Sequence, residues 1–224
     1  MRKTLFSSYF ELTKPRITTL VLVTAALGYA LAVEDTAPFL SWRLLLTLVG
    51  TGLASGGAAV LNHYVEREAD ARMHRTRNRP IPTGAVPPWA ALVFGIVLML
   101  CGPALLWGTV NPLSAALALA TALLYVLVYT PMKRFSWMNT PVGAVPGAIP
   151  PMIGWAGATG SLDLGAWVLF LILFLWQHPH FYAIAWMFKD DYARGGFKML
   201  PNVDPDGRRT FRLSLASAGL LIPA

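Results

Sequence analysis

Six long apolar runs, separated by short polar segments, set the pattern of this 224-residue chain. A helix needs about 20 mostly apolar residues to cross a bilayer. Each run therefore predicts a membrane-spanning helix, and the whole chain predicts an all-α bundle of transmembrane helices. The predicted spans are 17–33, 42–62, 89–109, 112–129, 142–157 and 165–188.

Two apolar runs depart from this pattern. The run 142–157 contains several prolines and glycines, so we expect a broken helix there. A seventh run begins near Leu213 and reaches Ala224 after about a dozen residues, which is too short to span a bilayer. We expect residues 1–224 to form a single membrane domain that is truncated at its C-terminus.

The charged residues are few, and the basic ones are sorted by position. Basic and acidic residues together make up 13% of the chain, whereas charged residues make up about 25% of a soluble domain. All lysines and arginines except Arg43 lie within 1–16, 67–79, 133–134 and 189–212. These segments share one side of the predicted spans, which by the positive-inside rule is the cytoplasmic side. The net charge of +7 therefore indicates topology and attraction to anionic lipid or substrate, and no nucleic-acid partner.

A column of polar side chains follows the second apolar run. Asn62, Glu66 and Asp70 are spaced four residues apart, so they fall on one face of a helix. Amide and carboxylate oxygens suit a hard cation such as Mg²⁺, and acidic groups at a bilayer edge are costly unless they are paired, hydrated or metal-bound. The column therefore predicts a metal site. The alternative is ion pairing with nearby arginines, namely Arg67, Arg72 or Arg75.

A second acidic segment, Asp190-Asp191, follows the sixth apolar run as the column follows the second. This correspondence predicts two four-helix halves, the second incomplete, with a site at their interface. Facing acidic segments would hold Mg²⁺ bridged by a diphosphate. The candidate catalytic residues are Asn62, Glu66, Asp70, Asp190 and Asp191, and the candidate metal ligands are Asn62, Glu66, Asp70 and Asp191. The basic candidates for binding the diphosphate are Lys14, Arg16, Arg67, Arg75, Arg79, Lys133 and Lys198.

Several stretches of the chain resemble the membrane-embedded UbiA-type prenyltransferases, and in particular the branch of that family that makes haem O. The polar column is similar to the first Asp-rich motif of the family, with Glu66 where Asp is common. The other stretches are LTKPRIT at 12–18, DARMHRTRNRP at 70–80, YTPMKR at 129–134, NTPVGAVPGAIPPMIGW at 139–155, WQHPHF at 176–181 and DDYARGGFKMLP at 190–201. The adjacent Asp190 and Asp191 depart from the spaced second motif of the family.

The resemblance implies a reaction and its partners. A farnesyl group would pass from farnesyl diphosphate to a vinyl group of haem b, with Mg²⁺ as cofactor and with addition of water. It also implies an integral, multi-pass protein of a bacterial-type cell inner membrane or a mitochondrial inner membrane. Its partners would be membrane lipid and the downstream haem-modifying enzyme, and its active-site loops would lie on the cytoplasmic side.

The four histidines divide between the charged segment and the sixth predicted span. His63 and His74 are expected at the surface of the first charged segment. His178 and His180 lie within the span, where a polar side chain is expensive and indicates a role. We expect these two to ligate or orient haem iron, with His180 the stronger candidate because its context matches the family. The alternative is a hydrogen bond to a neighbouring helix.

Three other functions fit parts of the pattern. Within the same fold, the acceptor would be an aromatic quinone precursor instead of haem. A transporter would use the broken fifth helix and the histidines as an ion path, but it would be expected to spread charges through the helices, whereas here they lie on one face of the membrane. A non-catalytic assembly protein leaves the polar column unexplained.

Overall fold

The computed structural model describes residues 4–33 and 40–222, and every regular element within these ranges is a helix. The predicted all-α class is confirmed. Expectations that rest on Arg2, Lys3 and Ala224 lie outside the described residues. The helices are Leu5–Leu12 (α1), Pro15–Ala32 (α2), Trp42–Arg72 (α3), Pro88–Thr109 (α4), Pro112–Leu123 (α5), Thr130–Met132 (α6), Asn139–Ala148 (α7), Pro150–Thr159 (α8), Leu164–Met187 (α9), Lys189–Gly195 (α10), Leu200–Val203 (α11) and Arg208–Leu220 (α12).

Within the described ranges, five helical stretches are long and apolar enough to cross a membrane. They are Pro15–Ala32, Trp42–Arg72, Pro88–Thr109, Pro112–Met132 and Leu164–Met187. The predicted span 142–157 is instead divided at Ile149 into α7 and α8, each of ten residues. Pro150 and Pro151 have no N–H to donate to the preceding turn, so the helix breaks there as the prolines predict. Six full spans and two repeated halves remain predictions.

α3 is the most buried of the five stretches. In its most apolar part 61% of the residues are buried, against 17% in α2. Glycines permit this burial: a Cβ at Gly57 would meet backbone atoms of Met99, and one at Gly102 would meet the backbone of Gly50. Small residues that let two backbones approach closely are typical of helix packing in a bilayer. The α3–α4 pair is therefore a close-packed centre of the bundle.

α3 is longer than the span that the sequence predicts. The apolar run ends at Asn62, but the helix continues to Arg72 and stops only where Met73 becomes extended. Residues 62–72 contain neither proline nor glycine, so nothing in them interrupts the helix. The polar column is thus carried on the same rigid element as the apolar run.

A π-helical turn, Leu124–Tyr129, joins α5 to α6. Pro131 lacks an N–H, and its ring would clash with the carbonyl four residues earlier in a regular helix. The wider turn accommodates this defect, and the Thr130 hydroxyl donates to the carbonyl of Tyr125 at 2.7 Å. Such turns inside helices are frequent at functional sites. Here the turn brings Thr130 to Asn62 of α3, with an N···O distance of 3.1 Å.

The C-terminal part of the chain folds against the end of α3. Met73 packs in one buried cluster with Ala185 of α9 and with Phe197 and Met199, which follow α10. This packing places the second acidic segment beside the loop that follows α3. The chain is an integral membrane protein whose polar groups gather at this end of the bundle.

Gly57→Ala is expected to destabilise the fold, because the new methyl group would overlap backbone atoms of α4. Overpacking of this kind costs about 1–3 kcal/mol. Gly52→Ala is the matched control, since its Cβ would make only an ordinary contact with Leu22 at 3.5 Å. Thermal unfolding of the detergent-solubilised variants measures the difference. Equal melting temperatures would contradict the close packing of α3 and α4.

Candidate active site

The polar column of α3 is buried. Asn62, Glu66 and Asp70 are 1%, 4% and 0% exposed, and they share one helix face as their spacing predicts. A buried charge without a partner is strongly destabilising, so the contacts of these three residues constrain the chain around them.

Both carboxylates of the column form ion pairs. Lys133 donates from Nζ to Glu66 Oε1 at 2.8 Å. Arg79 Nη1 lies 2.7 Å from each carboxylate oxygen of Asp70. Ion pairing, the alternative to a metal site, is therefore present. Its partners are two predicted diphosphate-binding residues, however, rather than the three arginines nearest in sequence.

Lys133 is held as a cation. Burial acts to lower its pKa, but the Glu66 carboxylate, together with Tyr129 and Tyr125, raises that pKa above the ordinary lysine value. Its Nζ also lies 4.4 Å from the ring centroid of Tyr129 and 5.8 Å from that of Phe197, and aromatic faces attract a cation at such distances. A fixed positive charge beside aromatic rings is suited to an anionic group that carries an apolar chain.

Lys14 completes the column from the start of α2. Its φ of 49° is rare for a residue with a side chain, and the following Pro15 restricts it further. Its Nζ donates to Asn62 Oδ1 at 2.6 Å. Burial lowers the pKa of Lys14 to about 7, and the nearby Arg79 guanidinium acts in the same direction. Strain of this kind persists where the surrounding structure imposes it, typically at functional sites.

Asp191 holds the loop that follows α3. Its carboxylate accepts the backbone N–H groups of His74 and Arg75 at 2.8 and 3.1 Å, and Arg194 donates to it at 2.7 Å. Burial acts to raise the pKa of Asp191, but these hydrogen bonds lower it to about 2. The candidate metal ligand Asp191 thus binds backbone here, whereas the side chain of Asp190 is exposed.

A cavity of about 270 Å³ lies beside the clamp that Asp191 forms on the backbone of His74 and Arg75. The guanidinium of Arg75 lies 4.9 Å from the ring centroid of Phe188 and donates to the Tyr192 hydroxyl at 3.2 Å. Arg75 is therefore the predicted diphosphate-binding residue that faces this cavity. The lining residues are His74, Arg75, Met187, Phe188, Asp190, Asp191 and Arg194.

Four predicted diphosphate-binding residues are not among the described partners of the column: Arg75, which faces the cavity, and three others. Arg67 donates to the carbonyl of Tyr64 at 2.8 Å. Arg16 and Lys198 have exposed side chains, and the backbone N–H of Lys198 donates to the carbonyl of Lys133 at 2.7 Å. Of the seven candidates, the structure brings Lys14, Arg79 and Lys133 to the column.

The two histidines of α9 have different surroundings. His178 is buried, and its Nδ1 lies 2.7 Å from the carbonyl oxygen of Phe174 in the same helix. His180 is exposed, and its ring stacks on Trp176 with centroids 4.8 Å apart. The role of these histidines in binding haem stays a prediction, and His180 has the accessible ring.

The expectation that His63 is a surface residue is wrong. Its side chain is 3% exposed, because α3 continues through it and packs it inside the bundle. Among the described residues, neither of its ring nitrogens has a hydrogen-bond partner. The helical period is the signal that would have found it, since His63 precedes Asp70 by two turns on nearly the same face.

The donor set of the column fits Mg²⁺ in type. Among residues 4–33 and 40–222, no three His, Cys, Asp or Glu side chains gather closely enough to hold a metal ion. Mg²⁺, however, is usually bound through one or two carboxylates together with substrate phosphates and water. The oxygens of Asn62, Glu66 and Asp70 therefore suit a cation that binds together with a diphosphate.

Residues 21–224 match the UbiA prenyltransferase family. The chain belongs to this family. The protoheme IX farnesyltransferase of Solibacter usitatus is 50% identical over 222 residues, which cover 96% of this chain and 76% of the relative. The protoheme IX farnesyltransferase of Koribacter versatilis is 46% identical over 220 residues, which cover 98% and 71%. The resemblance drawn from the sequence motifs is confirmed.

Solved structures support the fold of this family member. A digeranylgeranylglyceryl phosphate synthase structure aligns with a TM-score of 0.78 and 17% identity, over 97% of this chain and 75% of the other. A UbiA homologue from Archaeoglobus fulgidus, bound to DMAPP and Mg²⁺, aligns with a TM-score of 0.73 and 16% identity, over 97% and 73%. At these identities the likeness shows the fold alone.

Asp191→Ala is expected to release the loop after α3, because it removes the acceptor for the amides of His74 and Arg75. A charge-assisted hydrogen bond contributes about 1.5–3 kcal/mol, so exchange of these two amides should accelerate roughly tenfold or more. Hydrogen–deuterium exchange of the purified protein measures this. Asp190→Ala, one residue earlier and exposed, is the control, and equal protection in both variants would show that Asp191 does not hold the loop.

Proposed function

We propose that this chain transfers the farnesyl group of farnesyl diphosphate to a vinyl group of haem b, with addition of water, giving haem O and diphosphate. The observation that carries the proposal is the buried column of α3, whose oxygens accept hydrogen bonds from basic side chains of other segments. Farnesyl diphosphate as the donor and haem b as the acceptor are supported by family membership. They are also supported by two relatives, 50% and 46% identical, that are named protoheme IX farnesyltransferase.

Binding of the diphosphate exchanges partners within the column. Lys133 and Arg79 leave the carboxylates and bind phosphate oxygens, for which a guanidinium fork is well suited. Asn62, Glu66 and Asp70 would hold Mg²⁺. The metal, when bound, supplies positive charge that stabilises the departing diphosphate. Asp191 fixes the loop that carries Arg79, and it remains a candidate ligand.

The isoprenoid lies against aromatic side chains. Tyr125 and Tyr129 pack with ring centroids 5.4 Å apart, and Tyr129 adjoins Lys133. As the carbon–oxygen bond breaks, their π faces stabilise the allylic cation and exclude water from it. The vinyl carbon of haem attacks this cation, and water adds to the carbocation that results and releases a proton. His180 orients the haem, since its ring is accessible on α9.

The distribution of basic residues indicates the side of the membrane on which the reaction occurs. The column and its cations occupy the end of the bundle where the basic segments lie, which is the cytoplasmic side by the positive-inside rule. The site therefore takes both substrates from that face of a bacterial cell inner membrane, or from the matrix face of a mitochondrial inner membrane. Haem O passes from there to an enzyme that modifies it further.

Membranes that carry this chain are expected to form haem O from haem b, farnesyl diphosphate and Mg²⁺, as identified by mass spectrometry. Asp70→Ala should lower turnover roughly 100-fold or more, because it removes a candidate ligand of the Mg²⁺ that would stabilise the departing diphosphate. Its matched control is Glu68→Ala, on the same helix but exposed, which should retain full turnover.

Two results would contradict this account of the reaction. A prenylated hydroxybenzoate or naphthoate in place of haem O would assign the enzyme to an aromatic quinone precursor. Full turnover of Asp70→Ala, with normal insertion into the membrane, would remove the metal site from the column.

A further inference from the structure

His63 is a buried polar residue with an unusual lack of partners. It is 3% exposed, and neither ring nitrogen makes a hydrogen bond within the described part of the chain. Its Nδ1 lies 3.8 Å from Asp70 Oδ2, which is too far for a hydrogen bond. Burying an imidazole in this way is costly, and a native structure rarely retains such a group without a reason.

The geometry of α3 directs His63 toward one member of the column. His63 and Asp70 are separated by seven residues, which is nearly two full helical turns, so their side chains lie on the same face. Arg79 contacts both oxygens of the Asp70 carboxylate. The carboxylate therefore has a strong donor already, and the His63 ring stands 3.8 Å from it as a second donor that makes no hydrogen bond within the described residues.

The exchange of partners that accompanies diphosphate binding changes this arrangement. Once Arg79 leaves Asp70 for a phosphate oxygen, the carboxylate loses the donor that fixes its orientation. Carboxylates that ligate a metal are usually held by a further hydrogen bond, and loss of that outer partner typically weakens metal binding roughly 10–100-fold. A shift of less than about 1 Å would bring the His63 ring within hydrogen-bond distance of Asp70.

We propose that His63 is a positioning residue for Asp70, whose ring N–H replaces Arg79 as the donor to the carboxylate when the metal–diphosphate complex binds. The inference rests on the proposed function of the column. It gives a role to a buried ring whose nitrogens make no hydrogen bond within the described residues: the hydrogen bond that His63 makes belongs to the loaded site.

Binding of Mn²⁺, followed by electron paramagnetic resonance in the presence of S-farnesyl thiodiphosphate, tests the proposal without turnover. His63→Leu should raise the Kd for Mn²⁺ roughly 10–100-fold. His63→Gln, which keeps an N–H donor, should stay within about threefold of the original protein, since the hydrogen bond is restored. Glu68→Gln, on the exposed face of the same helix, should have no effect.

Thermal unfolding without ligand separates positioning from a structural role. The proposal predicts that His63→Leu leaves the melting temperature unchanged or raises it, because an unpaired polar group is replaced by an apolar one. A lowered melting temperature in both the Leu and the Gln variants would instead identify a structural histidine and overturn the proposal.

The binding experiment also separates this inference from the proposed function. If the original protein binds Mn²⁺ with the analogue and His63→Leu binds it as tightly, the positioning role is wrong and the proposed function stands. If the original protein binds no Mn²⁺ with the analogue, the proposed function fails, and the role of His63 fails with it.

Discussion

Two carboxylates buried at the end of α3 set the requirement that the surrounding structure meets. Removing the partner of a buried charge costs about 3–5 kcal/mol, so Glu66 and Asp70 each need a cation held in place. Lys133 reaches Glu66 because the π turn places the segment after α5 against α3. Arg79 reaches Asp70 because the loop between them folds back, and the clamp at Asp191 holds that loop.

The same ion pairs require the metal and the diphosphate to bind together. A divalent cation alone would take the carboxylates and leave Lys133 and Arg79, both half-buried, without partners. A diphosphate alone would take the cations and leave Glu66 and Asp70 unpaired. Only the two together satisfy every charge, because each newly freed group gains a partner of opposite sign. Charge balance thus couples binding of the metal to binding of the substrate.

Much of this arrangement could be predicted from the periodicity and composition of the chain, because these features depend on local sequence. The spacing of Asn62, Glu66 and Asp70 predicted their common face, and the prolines of the run 142–157 predicted the break at Ile149. The charge distribution and the motifs led to the family and to a metal-diphosphate site, and the family is confirmed.

Long-range pairing could not be derived in this way. Lys133 is 67 residues from Glu66, and nothing local distinguishes it from the other basic candidates. Arg67, which is adjacent to Glu66 in sequence, bonds instead to a backbone carbonyl of its own helix. His63 was misplaced because the apolar run ends beside it, whereas the helix and the packing continue.

A crystal structure of the protein with Mg²⁺ and S-farnesyl thiodiphosphate tests the exchange of partners most directly. In that structure, Lys133 and Arg79 are expected to contact phosphate oxygens, and the oxygens of Glu66 and Asp70 are expected to face the metal. Lys133 still bound to Glu66 and Arg79 still bound to Asp70, with the diphosphate seated elsewhere, would contradict it.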